Sequence, residues 1–128
     1  MRILLDTCTF LWIVADSPQL SARCREAFAD AENEVYLSAA SAWEIAVKHR
    51  LGRLPLPEAP DVFVPAQRKA HGIEPLPVEE DAALQVARLP ELHRDPFDRM
   101  LVAQATLQGL VVLTPDDAIR RYAVRTLW

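Results

Sequence analysis

The chain is poor in the residues that mark specialised architectures. Three glycines in 128 residues are too few for a fibrous or glycine-rich low-complexity chain. The two cysteines, Cys8 and Cys24, show no CxxC or Cys/His spacing and fall in predicted helices, where they read as ordinary buried thiols rather than zinc ligands. His49, His71 and His93 are dispersed and share no zinc-ligand pattern either. No apolar run reaches the roughly 20 residues needed to span a bilayer, because Asp6 interrupts the opening stretch ILLDTCTFLWIVA. Positive charge is also short: 14 Lys and Arg face 18 Asp and Glu, a net charge of -4. A protein that coats nucleic acid through a basic stripe is thereby disfavoured. A nucleic-acid enzyme is not, since acids that bind a metal ion engage phosphate without net positive charge. Together these features lead us to expect a cytoplasmic protein without a membrane segment.

What is present suits one folded domain, residues 1–128. Half of the chain is hydrophobic, 51%, and 25% is charged, enough for one core and too little length for two ordinary domains. Residues 2–6 read as a short buried strand because Ile3, Leu4 and Leu5 are contiguous and apolar. Helices are expected over 8–15 and 20–31, with Ser17 or Ser21 as caps. A second strand follows at 35–38. Ser41 and Glu44 fit a capping box opening a helix whose apolar face is Trp43, Ala46, Val47 and Leu51. A proline-rich connection at 54–60 leads to a helix near 61–71, a strand at 73–76 and a helix at 79–89. The helix from Pro96 to Gln108 is stopped by Gly109, the strand 110–113 follows, and AVRTLW supplies an edge strand. Alternating strands and helices, with strands that are apolar throughout, predict an α/β fold with a mainly parallel sheet between helical layers.

The acids carry the functional argument. Asp6 ends the first strand, Glu44 lies in the helix after the second, Asp98 lies one turn into the helix after Asp95 and Pro96, and Asp116 follows the LVVLT strand. In a parallel sheet, ligands bind beyond the carboxyl ends of the strands, and one sheet edge would gather all four. Carboxylates packed together repel, so they require protons or cations. Mg²⁺, or Mn²⁺ in its place, is the oxygen-seeking partner, and one or two such ions would suit phosphodiester hydrolysis. Each acid alone has a plain structural reading. Asp6 could cap the next helix, and Ser41 with Glu44, Asp95 with Asp98, and Thr114 with Asp117 could each make a capping box. Their conjunction favours a metal pocket.

The motifs LLDT, SAWEIAVK, HRDPFDRMLVAQA and VVLTPDD resemble those of PIN domains, especially the VapC-like ribonuclease toxins of type II toxin–antitoxin systems. The resemblance covers the whole chain. It implies a three-layer PIN-like fold and a Mg²⁺- or Mn²⁺-dependent endoribonuclease with an RNA substrate, a cognate VapB-like antitoxin and a homodimeric state. The acidic quartet falls by position on Asp6, Glu44, Asp98 and Asp116, with Asp6 and Asp98 the leading metal ligands. Asp95, Thr114 and Arg99 are supporting candidates. The aromatic residue common shortly after the last acid is absent, and Asp117 stands beside Asp116.

Other residues have everyday readings. Thr7 and Ser41 are expected to cap helices, and Thr114 either caps or orients an acid. Arg94, Arg99, Lys48, Arg50 and Arg53 could meet phosphate, although a solvated helical face explains any one of them. His93 reads as a loop residue with local hydrogen bonds, with a supporting role at the acidic edge as the other reading. Trp12, Trp43 and Trp128 are expected in core or interface packing. Two other functions compete with the nuclease. One is an aspartyl phosphohydrolase with Asp6 as nucleophile, weakened because Cys8 stands where a second Asp is expected. The other is a non-catalytic acidic module that binds a basic partner segment.

Overall fold

The computed structural model describes residues 1–128. Five strands, β1 (Arg2–Leu5), β2 (Glu34–Ser38), β3 (Glu74–Leu76), β4 (Val111–Leu113) and β5 (Thr126–Leu127), are joined by seven helices. These are α1 (Thr7–Val14), α2 (Ala22–Ala29), α3 (Ala39–Arg50), α4 (Pro60–Ala70), α5 (Glu80–Gln85), α6 (Pro96–Gln108) and α7 (Asp117–Arg120). A single 3-10 turn, Val86–Arg88, continues α5. The sheet order is β3-β2-β1-β4-β5, and every pairing is parallel.

Side-chain alternation along β1 divides the core between the two faces of the sheet. Ile3 and Leu5 point into a cluster with Phe10, Ile13, Cys24, Ile45 and Phe63, under α1 to α4. Leu4 points the other way, toward Leu101, Val102, Val112, Ile119 and Tyr122. The three β1 side chains are fully buried, each contributing about 1.5–3 kcal/mol of hydrophobic stabilisation. The expected three-layer α/β fold is thus observed, with α6 and α7 covering one face and α1 to α4 the other.

From β1 the chain progresses outward through β2 to β3 and then returns to the other side of β1 to add β4 and β5, so its direction across the sheet switches between β1 and β4. Such a switch point opens a crevice at the carboxyl ends of the strands. Local chemistry then aims helices at it. Asp95 caps α6 through the amides of Phe97 and Asp98, Pro96 takes the first turn, and Gly109 ends the helix at φ 65°, a left-handed conformation that glycine adopts without steric penalty.

Helix α3 departs from the sequence expectation. It starts at Ala39 with Ser38 as cap, so Ser41 is not a cap and its buried hydroxyl has no hydrogen-bond partner. The expected apolar face is also rotated. Ala40, Ser41, Glu44 and Ile45 are buried, whereas Trp43 and Leu51 are 62% and 59% exposed. The inward face therefore carries an acid, and Trp43 lies outside the core with its ring edge-on to Phe97 at 5.0 Å.

Candidate active site

Asp6 follows β1 at the centre of the sheet and is 3% exposed. It does cap α1, because Oδ1 accepts from the Thr9 amide at 2.8 Å. The same oxygen accepts from the Cys8 thiol at 3.3 Å, so Cys8 is a half-buried partner of the acid rather than an inert core thiol. Oδ2 accepts from the Thr114 hydroxyl in a short bond. Burial pushes the Asp6 carboxyl above its ordinary range, against the opposing pull of the Thr114, Thr9 and Cys8 hydrogen bonds. Burial, seconded by the Asp6 charge, also pushes the Cys8 thiol up, keeping it protonated.

Thr114 is not the cap of α7. Its hydroxyl accepts from the Asp116 amide at 3.0 Å while donating to Asp6, and Asp116 itself caps α7 through the Ala118 amide at 2.9 Å. Asp117 lies in the first turn of α7 with its side chain 91% exposed, 3.9 Å from Arg120. Of this adjacent pair, Asp116 is the acid whose charge reaches Asp98.

Glu44 is turned inward between two donors. The Thr7 hydroxyl donates to Oε1 at 2.6 Å, and Lys48, one turn along α3, pairs with Oε2. Neither Thr7 nor Glu44 acts as a cap. The hydrogen bond to Glu44 raises the Lys48 ammonium above its ordinary value, with help from the Glu44, Asp95 and Asp98 charges and against partial burial. Lys48 is thus the cation that accompanies these acids.

Asp98 is the focus of the cluster. Burial pushes its carboxyl up to about 7, and the charges of Asp95, Asp116, Glu44 and Asp6 push in the same direction. Asp95 caps α6 with Oδ1, leaving Asp98 free of capping duty. His93 Nε2 stands 3.5 Å from Asp98 Oδ2. The sequence allows His93 a supporting role at the acidic edge, and the contact with Asp98 is the geometry of that reading, although nothing local links a loop histidine to a helix acid. Arg99 is directed elsewhere, toward the carbonyl oxygens of Val86 and Pro90 and the Tyr122 hydroxyl. Arg50, Arg53 and Arg94 are exposed. His49 and His71 bond to nearby carbonyls, of Leu54 and Gln67.

The five acids thus share one electrostatic environment, although no three of the chain's His, Cys, Asp or Glu side chains already form a metal cage. The donor set still fits a hard divalent cation. Carboxylate and hydroxyl oxygens are its preferred ligands, and Mg²⁺ uses one or two carboxylates while retaining waters. Asp6 and Asp98 would hold it, with Glu44 and Asp116 alongside.

Sequence and fold comparisons relate the chain to known proteins. Ribonuclease VapC16 of Mycobacterium tuberculosis is 50% identical over 50 residues, which are 39% of this chain and 36% of that protein. The chain therefore matches little more than a third of that relative's length. Its fold is similar to a chain of VapBC2 from Rickettsia felis, solved bound to a promoter DNA fragment, with a TM-score of 0.74 at 13% identity over 99% of this chain and 98% of the other. It is similar also to a chain of DNA-bound VapBC from Salmonella typhimurium, with a TM-score of 0.70 at 22% identity over 99% and 97%. The PIN domain family matches residues 3–125, almost the whole length over which the sheet and its acidic crevice are built, and the chain belongs to that family.

Proposed function

We propose that this chain is a single-domain toxin, residues 1–128, of a type II toxin–antitoxin pair, and that it hydrolyses RNA internally with Mg²⁺ or Mn²⁺. One observation carries the reading: Asp98 is set at the start of α6 within reach of the charges of Asp95, Asp116, Glu44 and Asp6, which add to burial in pushing its carboxyl up to about 7. Such a cluster is stable at neutral pH when positive charge joins it. A bound divalent cation would supply that charge, stabilise the reacting phosphate and acidify an attacking water.

The chain's own groups prepare the site. Thr114 and the Thr9 amide hold Asp6, Thr7 and Lys48 hold Glu44, and Asp95 sets the start of the helix that presents Asp98. Lys48 is placed to exchange its carboxylate partner for an RNA phosphate. The similarity to a VapC ribonuclease and to VapBC complexes supports RNA as substrate and a VapB-like antitoxin as partner; a homodimer as the assembly and the cytoplasm as the place of action belong to the same proposal and rest on the motif resemblance alone.

Direct attack by Asp6, as in an aspartyl phosphohydrolase, fits the geometry poorly. Oδ2 accepts one hydrogen bond and keeps a lone pair open to a cation, but in-line attack would need a phosphorus centre in contact with a side chain that is only 3% exposed. A purely partner-binding acidic module has no observation in its favour beyond the acids themselves.

The test is cleavage of end-labelled RNA by purified protein freed of any bound inhibitor, with Mg²⁺ or Mn²⁺, with chelator, and with Asp98→Asn. Internal cuts abolished by chelator and by the substitution support the reading. Equal cutting by folded Asp98→Asn, with contaminating nuclease excluded, would reject it.

A further inference from the structure

Beside the acidic crevice lies a buried ring nitrogen with no hydrogen-bond partner, Nε2 of His93. The ring's other nitrogen, Nδ1, is 2.8 Å from the Tyr122 hydroxyl. That hydroxyl already accepts from Arg99 Nη1 at 2.9 Å. Arginine only donates, so the phenolic proton is free to point at His93, an arrangement in which Nδ1 accepts. In a neutral imidazole the proton then resides on Nε2, the nitrogen facing Asp98 Oδ2 at 3.5 Å.

The histidine is also held as a body. Arg99 Nη1 donates to the carbonyls of Pro90 at 2.9 Å and of His93 itself at 3.4 Å, while Nη2 donates to Val86 at 3.0 Å. The ring packs edge-on to Tyr122 with centroids 5.4 Å apart, and Tyr122 is 4% exposed. One arginine on α6 thus fixes both the loop that carries His93 and the phenol that sets its proton.

We propose that His93, held in its Nε2–H form by the Arg99–Tyr122 pair, is a positioning residue that donates to Asp98 and fixes the orientation in which that carboxylate meets a divalent cation. The inference rests on the metal-nuclease reading for its consequence, and its geometry stands on the His93 and Tyr122 contacts. A 3.5 Å separation is long for a hydrogen bond, but contacts of this kind tighten when the site is loaded. Carboxylates that ligate metals are commonly oriented by an outer hydrogen-bond donor.

The experiment uses the full chain. Imidazole ¹⁵N spectra of the metal-free protein read the His93 tautomer directly, and Mn²⁺ binding is measured for the wild type, His93→Gln, His93→Asn and Tyr122→Phe. Glutamine can place an amide N–H near the position of Nε2, whereas asparagine places one near Nδ1. The expected result is an Nε2 proton on His93, Mn²⁺ affinity close to wild type for His93→Gln, and a loss on the order of tenfold for His93→Asn. Tyr122→Phe, which keeps the packing ring, is expected to mix the two tautomers and weaken Mn²⁺ binding. An Nδ1 proton in the wild type, or equal Mn²⁺ affinity for the Gln, Asn and Phe variants and the wild type, would overturn the inference alone. A wild type that binds no Mn²⁺ would overturn the metal-nuclease reading, and with it the role of His93 toward a cation.

Discussion

The Thr114 hydroxyl donates to Oδ2 of Asp6, joining two residues 108 positions apart at the carboxyl ends of adjacent strands, and accepts from the Asp116 amide. One hydroxyl therefore orders two acids. Thr114→Val keeps the shape and removes both bonds. The expected loss is about 1–3 kcal/mol of stability, the penalty for leaving a buried polar group unsatisfied, read by urea unfolding at neutral pH. Because the Thr114 bond holds the Asp6 carboxyl down against burial, the same variant should also bind Mn²⁺ more weakly. Thr114→Ser retains the hydroxyl and should remain near wild type in both measurements.

Asp98 gives a pH signature with a definite sign. Its carboxyl rises from an ordinary 3.8 to about 7 on folding, so the native state holds the proton more tightly than the unfolded chain. Its relative stabilisation is fully present below about 4 and is lost as pH rises through about 7. In metal-free buffer, Asp98→Asn is therefore expected to melt higher than the wild type at pH 8. That advantage should shrink as pH falls and vanish below pH 4. Divalent cation at pH 8 should raise the wild-type melting temperature more than that of the variant. A variant no more stable than wild type at pH 8 would refute the charge crowding.

How far these features were legible in sequence depended on the range of the contact that decides them. The start and stop of α6 were readable because Asp95, Pro96 and Gly109 act within one turn of the backbone. The parallel sheet was readable from its apolar strands. The start of α3 was misplaced because Ser41 and Glu44 match a capping box, whereas Ser38 caps the helix and Glu44 meets Thr7, 37 residues away. Thr114 was expected at a local cap or beside an acid, and its role was decided by Asp6. His93 depended on Tyr122, 29 residues further on. Spacing rules see caps within a turn, and tertiary hydrogen bonds reassign the same side chains.

Asp116 and Asp117 are adjacent in sequence and differ in surroundings, so they are expected to behave differently. The Asp116 side chain caps α7 and its charge reaches Asp98. Asp117 is 91% exposed at its side chain and has only a long contact to Arg120, a type of surface pair worth little. Asp117→Ala should change neither stability nor RNA cleavage appreciably. Asp116→Ala should cost about 1 kcal/mol through loss of the cap and should reduce cleavage. Asp116→Asn preserves a capping oxygen, so cleavage lost with stability retained would separate the charge from the cap.

Asp95 offers the complementary separation. Its carboxylate accepts from the Phe97 and Asp98 amides, and after burial it is the foremost cause of the raised Asp98 carboxyl. Asp95→Ala removes cap and charge together and is expected to cost about 1 kcal/mol from the cap. Asp95→Asn removes the charge while keeping a side-chain oxygen for the cap, so that cap contribution should persist. Both substitutions should bring the Asp98 titration below about 7, followed by carboxyl-carbon NMR in metal-free protein. With less charge to confine, Asp98 should stay ionised to lower pH, and the acidic limb of the RNA-cleavage profile should move the same way. If Asp95→Asn left the Asp98 titration unchanged, Asp95 would be a cap alone, and the crowding at this helix start would have to come from Asp116, Glu44 and Asp6.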